Sequence, residues 1–168
     1  MEINQLYELF KQSTGVTTDT RNIKQNQLFF ALKGDSFNGN TFAEKALEIG
    51  ASYSIIDEKK FQQNEKCILV SDVLSTLQQL ANYHLHQINP KHILAITGSN
   101  GKTTTKELVN AVLSTTYKTH YTKGNLNNHI GIPLTLLEMQ ENTGIAIIEM
   151  GANHQKEIES YCQYVEPT

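Results

Sequence analysis

The sequence predicts an α/β protein: a small N-terminal α/β unit followed by an incomplete parallel sheet of the P-loop type. Three observations lead to this prediction. Strand and helix patterns alternate along the chain, a proline at position 90 interrupts them, and the second half opens with a strand, a glycine loop and a helix. Alternation with crossover connections requires mainly parallel sheets. Because proline disfavours helix in the residue before it, the predicted boundary separates residues 1–88 from residues 89–168.

The first half alternates helical and strand patterns. Apolar residues recur at helical spacing from Ile3 to Phe10 and indicate an opening helix. Thr41 and Glu44 have the spacing of a capping box for a second helix, and Gly50 is placed to end that helix with a positive φ. A longer helix is expected over residues 73–85. Three apolar runs are predicted to be buried strands, at Gln27–Lys33, Tyr53–Asp57 and Cys67–Val70.

The second half predicts about three strands. They are expected at His92–Thr97, Lys118–Tyr121 and Ile145–Glu149, with helices at Thr103–Ser114 and Gln155–Tyr164. A polar loop and an apolar segment fill the space between the second and third strands. Since sheets average about five to six strands, we expect these residues to be part of a longer protein.

Composition excludes several classes of protein. The 168 residues carry 14 Lys and Arg against 17 Asp and Glu, a net charge of −3, which argues against a protein whose main task is to bind nucleic acid. The two cysteines form neither a metal-type cluster nor a disulfide framework. Neither a signal peptide nor a bilayer-spanning apolar run is present. We therefore expect a cytoplasmic protein without membrane insertion.

The most informative stretch joins an apolar strand to a glycine loop that ends in Gly-Lys-Thr and opens a helix. Glycine lets the backbone approach phosphate oxygens, and a helix N-terminus supplies N–H donors and partial positive charge. Lys102 is expected to neutralise the β/γ-phosphates, and the Thr103 hydroxyl to join the shell of Mg²⁺. Ile96 replaces the first glycine of the common pattern, which leaves a shortened G-x-x-G-K-T. The predicted nucleotide-binding residues are Gly98, Ser99, Asn100, Gly101, Lys102, Thr103 and Thr104.

Two further segments of the second half supply candidate site residues. Glu149 ends an apolar strand, at the edge where parallel sheets place ligands, and is predicted to hold Mg²⁺ with Thr103. The loop 123–133 carries three asparagines and a histidine between glycines, groups suited to a sugar, an amide or a transferred phosphoryl group. Turn chemistry alone explains such a loop equally well. His154, near the start of the last helix, is either a site residue or a surface histidine.

In the first half, polar segments flank the strand at residues 28–32. Thr18-Asp19-Thr20-Arg21 precedes this strand, and the segment 33–40 follows it. Their hydroxyls, amides and aromatic ring are suited to a polar ligand such as a nucleotide base. Ordinary turns are the simpler interpretation of the residues taken alone.

Several of these runs together resemble the Mur ligases of peptidoglycan synthesis, over nearly the whole chain. The matching runs are TDTR, LFFALKGDSFNGN, TGSNGKTTTKE, KGNLNNHIGIPLTLLEM and IIEMGANHQKEI. The asparagine-rich loop is most similar to the family members that join D-alanyl-D-alanine to UDP-MurNAc-tripeptide. The resemblance implies a monomeric carboxylate–amine ligase that uses ATP and Mg²⁺. In such an enzyme ATP phosphorylates the terminal carboxylate of the peptide, and the amine then attacks the acyl phosphate.

The resemblance also implies roles for individual residues. Residues 1–88 would form the UDP-substrate domain, and residues 89–168 the N-terminal portion of the central ATPase domain. Gly98–Thr104 would cradle ATP, Thr103 and Glu149 would hold Mg²⁺, and Lys102, Asn128 and His154 would line the reaction centre. The residues implied near the uridine moiety are Thr18, Thr20, Asp35, Ser36 and Phe37. Asn40 and Lys156 depart from the family pattern, where relatives often carry histidine and glycine.

Members of the family continue with a second metal site and an acceptor domain, neither of which is in these 168 residues. The chain by itself is therefore expected to ligate little or nothing. Three alternatives stay open. One is another Mur-type ligase, adding the third residue or a glutamate tail to folate, against which the loop 123–133 argues. The others are a non-catalytic nucleotide-binding module and a P-loop kinase, the latter disfavoured by the shortened loop and the first domain.

Overall fold

The chain folds as two units that follow each other along the sequence. The computed structural model describes residues 1–34 and 36–168, which divide into Met1–Leu80 and Ala81–Thr168. The division falls inside a long helix, Val73–Ile88. Each unit contains a parallel sheet with helices, which confirms the predicted fold class. The domain boundary after residue 88 stays a prediction.

The first unit contains a four-stranded sheet in the order β1-β2-β5-β6, in which every neighbouring pair is parallel. Its strands are β1 (Val16–Thr17), β2 (Leu28–Phe30), β5 (Tyr53–Ile56) and β6 (Cys67–Leu69). An antiparallel hairpin joins β3 (Lys33–Gly34) to β4 (Phe37–Asn38). The helices are α1 (Ile3–Lys11), α2 (Ala43–Ile49) and α3 (Val73–Ile88), the last of which continues past the division.

The structure confirms the opening helix, the long helix from Val73 and the three predicted strands, although each strand is shorter than predicted. Gly50 ends α2 with φ 131°, as expected for a glycine at this position. Part of the core forms between the sheet and α2. Its buried members are Phe29, Ala31, Ala43, Ala46, Ala51, Ile56 and Cys67.

The predicted capping box at Thr41 is wrong. Residues Gly39–Phe42 form a 3₁₀ turn, and Phe42 is the N-cap of α2. Thr41 Oγ1 donates instead to the carbonyl oxygen of Asn38, at 2.8 Å. The 3₁₀ turn moves the start of the helix past Thr41, so this hydroxyl stabilises the turn and not the helix.

Asn40 is fully buried (0% exposed) and ties β4 to the end of β5. Its Nδ2 donates to Oδ1 of Asn38 and of Asp57, and its Oδ1 accepts the backbone N–H groups of Asp57 and Glu58. Lys33 Nζ lies 3.0 Å from Oδ1 of the same Asp57. Burial disfavours the charged form of Asp57, but hydrogen bonds from Lys33 and Asn40 outweigh it and hold the pKa of the carboxyl below its ordinary value. The segment that follows β2 is thereby fixed to the carboxyl end of β5.

The second unit contains a three-stranded parallel sheet with β9 at its centre, in the order β7-β9-β8. The strands are β7 (His92–Ile96), β8 (Thr119–Tyr121) and β9 (Ile145–Glu149), and the helices are α4 (Lys102–Leu113), α5 (Gly131–Leu137) and α6 (Glu157–Val165). All of β9 is buried, and its bounds are those predicted. Within the described residues, no helix combines the length and apolar character that crossing a membrane requires.

Two histidines, the buried His84 and the half-buried His120, contact backbone carbonyls at or just beyond the carboxyl end of α5. His84 Nε2 lies 3.0 Å from the carbonyl oxygen of Met139, and His120 Nε2 lies 2.7 Å from that of Thr135. Burial is the main cause that lowers the pKa of both imidazoles, and it outweighs the opposing effect of these backbone contacts. Both side chains are therefore neutral donors at neutral pH.

Replacing Asn40 by alanine is expected to lower the free energy of unfolding by about 3 kcal/mol. The substitution leaves the Asp57 and Glu58 N–H groups without their partner, and each such buried group costs about 1–3 kcal/mol. Urea unfolding followed by circular dichroism measures the loss. Asn64→Ala is the matched control, because Asn64 accepts one hydrogen bond in an exposed turn. Equal losses in the two variants would contradict the central role of Asn40.

Stability is expected to decrease as the pH falls below about 6.5, the ordinary pKa of histidine. His84 and His120 have lowered pKa values in the folded chain, so the unfolded chain binds protons more readily. Their contribution is complete above the unfolded pKa and is lost as the pH falls. The double variant His84→Gln/His120→Gln should show a flatter dependence between pH 7.5 and about 5.5, whereas the exposed His92→Gln should follow the parent chain. Parallel curves for the parent chain and the double variant would refute the assignment.

Candidate functional site

The loop between β7 and α4 combines two glycine turns with a helix N-terminus. Gly98 has φ 146° and Gly101 has φ 78°, angles that side-chain-bearing residues rarely adopt. Gly101 is the N-cap of α4, so the first N–H groups of the helix have no acceptor within it. This arrangement is typical of phosphate-binding loops.

Lys102 is the first residue of α4 and contacts the loop that precedes it. Its Nζ donates to the carbonyl oxygen of Gly98 at 2.7 Å. The other predicted nucleotide-binding side chains of the loop, Ser99, Asn100 and Thr104, are exposed. The lysine is therefore held beside the backbone turn where the sequence predicts a triphosphate.

Glu149 is a buried carboxylate (1% exposed) at the carboxyl end of β9, and three segments of the second unit converge on it. Its Oε1 accepts hydrogen bonds from Thr103 Oγ1 at 3.2 Å and from Asn127 Nδ2 at 2.8 Å. Its backbone N–H donates to Thr122 Oγ1 at 2.9 Å. The structure thus brings together the two predicted metal ligands, Thr103 and Glu149.

The distance between these two oxygens suits a magnesium ion. Mg²⁺ binds six oxygens octahedrally at about 2.0–2.1 Å, which places adjacent ligands about 3 Å apart, and Thr103 Oγ1 lies 3.2 Å from Glu149 Oε1. The described residues contain no group of three or more His, Cys, Asp or Glu that could hold a metal ion by themselves. An ion held here would need further ligands from water or from nucleotide phosphates, as is usual for Mg²⁺.

A cavity of about 430 Å³ lies next to Lys102 and is lined mainly by amides and imidazoles. Its lining residues are Lys102, Asn125, Asn127, Asn128, His129, Gly151, Ala152, Asn153, His154, Glu157 and Tyr161. The cavity therefore offers mainly neutral hydrogen-bonding groups, together with the cation of Lys102 and the carboxylate of Glu157, which accepts the N–H groups of Asn153 and His154. The part beside Lys102 is suited to a carboxylate or a phosphoryl group.

Asn128 and His154 both line this cavity, as their predicted roles require. Asn128 Oδ1 also accepts the N–H groups of Ile130 and Gly131, just before and at the start of α5. The backbone N–H of His154 donates to Glu157 Oε2, and this bond is the main cause that lowers the pKa of the Glu157 carboxyl. Catalytic roles for Asn128 and His154 stay predictions.

The predicted uridine residues follow β1 and β2, which are parallel neighbours, so their loops leave the same edge of the sheet. Thr18 and Thr20 flank Asp19, whose pKa the bidentate hydrogen bonds from Arg21 lower to about 2. Ser36 and Phe37 belong to the hairpin that follows β2. Phe37 is 51% exposed, and its ring stacks on that of Phe42 at 5.6 Å between centroids. Asp35 lies outside the described residues.

Sequence reasoning missed two residues that contact Glu149. Asn127 adjoins the predicted Asn128, and composition alone does not distinguish the two. Lys106 is fully buried, with its Nζ 3.8 Å from Glu149 Oε2. Its position three residues after Thr103 places both on neighbouring positions of α4, but this spacing alone does not indicate a contact with Glu149 on β9.

Two family models match adjoining parts of the chain and together cover most of its length. The model described as "Mur ligase family, catalytic domain" matches residues 12–96, and the model described as "Mur ligase middle domain" matches residues 96–168. The first of these covers half of the chain.

Curated relatives and solved structures are similar to the chain over most of its length. UDP-N-acetylmuramoyl-tripeptide–D-alanyl-D-alanine ligase of Bacillus subtilis is 47% identical, over 91% of this chain and 34% of the relative. The structure of the corresponding Acinetobacter baumannii ligase has a TM-score of 0.87 and 32% identity, covering 98% of this chain and 39% of its own. The structure of the Thermotoga maritima MurF ligase in complex with ADP has a TM-score of 0.82 and 30% identity, covering 94% of this chain and 36% of its own. The chain thus spans about a third of the length of the curated relatives it matches.

Replacing Asn127 by aspartate is expected to make stability depend on divalent cations. The variant brings a second carboxylate to within hydrogen-bonding distance of Glu149 Oε1, and buried like charges repel. In EDTA the melting temperature should fall by roughly 4–8 °C, the effect of about 1 kcal/mol in a small domain. Added Mg²⁺ should recover most of this loss.

Asn125→Asp is the matched control. Asn125 lines the same cavity, but among the described residues its side chain has no hydrogen bond to Glu149. This variant should melt with the parent chain in EDTA and show little response to Mg²⁺. A similar response to Mg²⁺ in both variants would place the cation away from Glu149.

Proposed function

The chain belongs to the Mur ligase family, and we propose that it forms the UDP-substrate-binding and ATP-binding parts of a ligase that joins D-alanyl-D-alanine to UDP-MurNAc-tripeptide. The observation that carries the proposal is the hydrogen bond between Thr103 and Glu149. It joins the phosphate-type loop to the carboxyl end of β9, where parallel sheets bind ligands. The 47% identity to the Bacillus subtilis ligase supports the choice of reaction within the family.

In this proposal the loop binds the phosphates of ATP. The N–H groups at the start of α4 donate to phosphate oxygens, and Lys102 exchanges the Gly98 carbonyl for the transferring phosphate. Thr103 and Glu149 would hold Mg²⁺, which neutralises charge between the phosphates. Phosphoryl transfer depends chiefly on positioning and on cations near the moving charge. Lys102, Thr103 and Glu149 would therefore supply most of the contribution that the second unit makes to phosphoryl transfer.

The cavity beside Lys102 is the proposed place for the peptide carboxylate. An oxygen of that carboxylate attacks the γ-phosphorus, the bond to ADP breaks, and an acyl phosphate forms. The amine of D-alanyl-D-alanine then attacks the acyl carbon and displaces phosphate. Asn128 and His154, which line the cavity, would orient the reacting carboxylate by hydrogen bonding.

The first unit is the proposed binding site for the uridine end of the substrate. Thr18 and Thr20 follow β1, and Ser36 and Phe37 follow β2, so these four residues lie in segments that leave one edge of the sheet. Asp35 belongs to the proposal through the likeness to the family alone. The half-exposed ring of Phe37, supported from behind by Phe42, offers a stacking surface to a base. Cytoplasmic location and a monomeric state are part of the same proposal and rest on the likeness to the family alone.

The relatives are about three times as long as the chain, which spans 34% of the Bacillus subtilis ligase. We therefore expect these 168 residues to bind nucleotide and UDP-substrate without ligating them. A coupled assay for ADP release, with ATP, UDP-MurNAc-tripeptide and D-alanyl-D-alanine, checks this. Turnover comparable to that of a ligase of the relatives' length would contradict it.

Lys102→Met is expected to weaken the binding of Mg-ADP at least tenfold, a loss of about 1.4 kcal/mol, without affecting the fold. Among the described residues its ammonium donates one hydrogen bond, to the loop itself, so little of the structure depends on it. Isothermal titration measures the affinity, with the exposed Lys91→Met as the control. Titration with UDP, whose proposed site lies in the first unit, should give the same affinity in all three proteins. Unchanged Mg-ADP affinity in Lys102→Met would refute the nucleotide site.

A further inference from the structure

Lys106 is a cation buried in the interior of the second unit. It lies on α4, one turn after Thr103, and is 0% exposed. Lysine is almost never fully buried unless it is paired. Three groups lie near its Nζ: Glu107 Oε1 at 3.1 Å, Glu149 Oε2 at 3.8 Å and the ring centroid of Tyr121 at 5.7 Å.

Glu149 is the buried member of this set. The Glu107 side chain is 52% exposed, so water screens its charge, whereas the Glu149 side chain is 2% exposed. The attraction between unit charges grows as the surrounding dielectric constant falls. Within the described part of the chain, neither Lys106 Nζ nor Glu149 Oε2 has a hydrogen-bonding partner of good geometry. Each atom is therefore the nearest buried charge that compensates the other.

The two oxygens of Glu149 face different partners. Oε1 accepts hydrogen bonds from Thr103 and Asn127, and Oε2 faces Lys106. A carboxylate has two equivalent oxygens, and rotation about its last bond exchanges them. An interior cation beside one oxygen opposes tilting of the group away from this arrangement.

We propose that Lys106 is a positioning residue, which holds Glu149 Oε2 in the interior so that Oε1 stays beside the Thr103 hydroxyl and is directed to Mg²⁺. The inference rests on the proposed function, because it assumes that Thr103 and Glu149 are the ligands of the ion. Lys106 touches neither nucleotide nor metal in this scheme. It acts through Glu149, as partners of ligating carboxylates do at metal sites.

The test separates the magnesium-dependent part of ADP binding from the rest. The affinity of the chain for ADP is measured by isothermal titration in EDTA and in Mg²⁺, and the ratio of the two affinities gives the tightening due to the ion. Lys106→Met keeps the length and apolar stem of the side chain and removes its charge. Glu107→Gln is the matched control, because it removes the other carboxylate near Lys106 Nζ.

In Lys106→Met the tightening by Mg²⁺ should fall about tenfold, the lower end of the effect of losing a partner of a metal ligand. The affinity in EDTA should change less than about twofold, because the loop and Lys102 are intact. Glu107→Gln should behave as the parent chain. A full magnesium effect in Lys106→Met would overturn the inference and leave the proposed function standing. Absence of any magnesium effect in the parent chain would overturn the metal assignment and the inference with it.

A second variant covers the case in which Lys106→Met does not fold. Lys106→Met/Glu149→Gln removes both buried charges. If this double variant folds where the single variant does not, Lys106 is shown to compensate the Glu149 carboxylate, which supports the inference. If neither folds, Lys106 is required for packing and not for Glu149, and the inference is overturned. Circular dichroism and thermal melting give this readout without nucleotide or metal.

Discussion

The second unit depends on keeping one carboxylate charged inside the protein. Burying Glu149 is costly unless hydrogen bonds and a countercharge compensate it. Thr103 and Lys106 come from α4, and Asn127 comes from the asparagine-rich loop. The positions of Thr103, Asn127 and Lys106 follow from this requirement. The sheet topology makes it possible, because β9 lies between β7 and β8 and delivers its last residue to the edge where the loops begin.

In each unit a buried polar side chain lies at the carboxyl end of a strand, and the two units compensate its burial with different chemistry. At the end of β5, the neutral carboxamide of Asn40 has two donors and two acceptor contacts satisfied within the protein, which is complete for an amide of this kind. At the end of β9, Glu149 leaves Oε2 without a hydrogen bond among the described residues. The first arrangement fixes the segment that follows β2 to the end of β5. The second keeps a negative charge in the interior of the second unit, with Oε2 facing the ammonium of Lys106.

Local sequence patterns predicted the strand and the loop that position the site. They did not predict contacts between residues far apart in the sequence. The run from Ile145 to Glu149 gave the bounds of β9, because five buried residues in sequence leave little choice of structure. The glycine loop was predictable since its chemistry is contained in consecutive residues. The burial of Lys106 was not predictable, because a lysine on an amphipathic helix is ordinarily solvated and only the fold brings Glu149 close to it. The prediction for Thr41 was wrong for a related reason. Its spacing from Glu44 fits a capping box, but in the 3₁₀ turn before α2 its hydroxyl donates to the carbonyl oxygen of Asn38.

The hydrogen bond from Thr103 to Glu149 need not break for the site to work. A hydroxyl has one donor and two acceptor lone pairs, so Thr103 can donate to Oε1 and still present a lone pair to a cation. A carboxylate oxygen has about two lone-pair sites, so Oε1 can bind an ion and keep the bond from Thr103 when Asn127 releases it. Thr103, which stabilises Glu149 in the protein alone, is then also the group that orients it for an ion. Little rearrangement of side chains is needed when an ion binds, because the fold already orders the groups around Glu149.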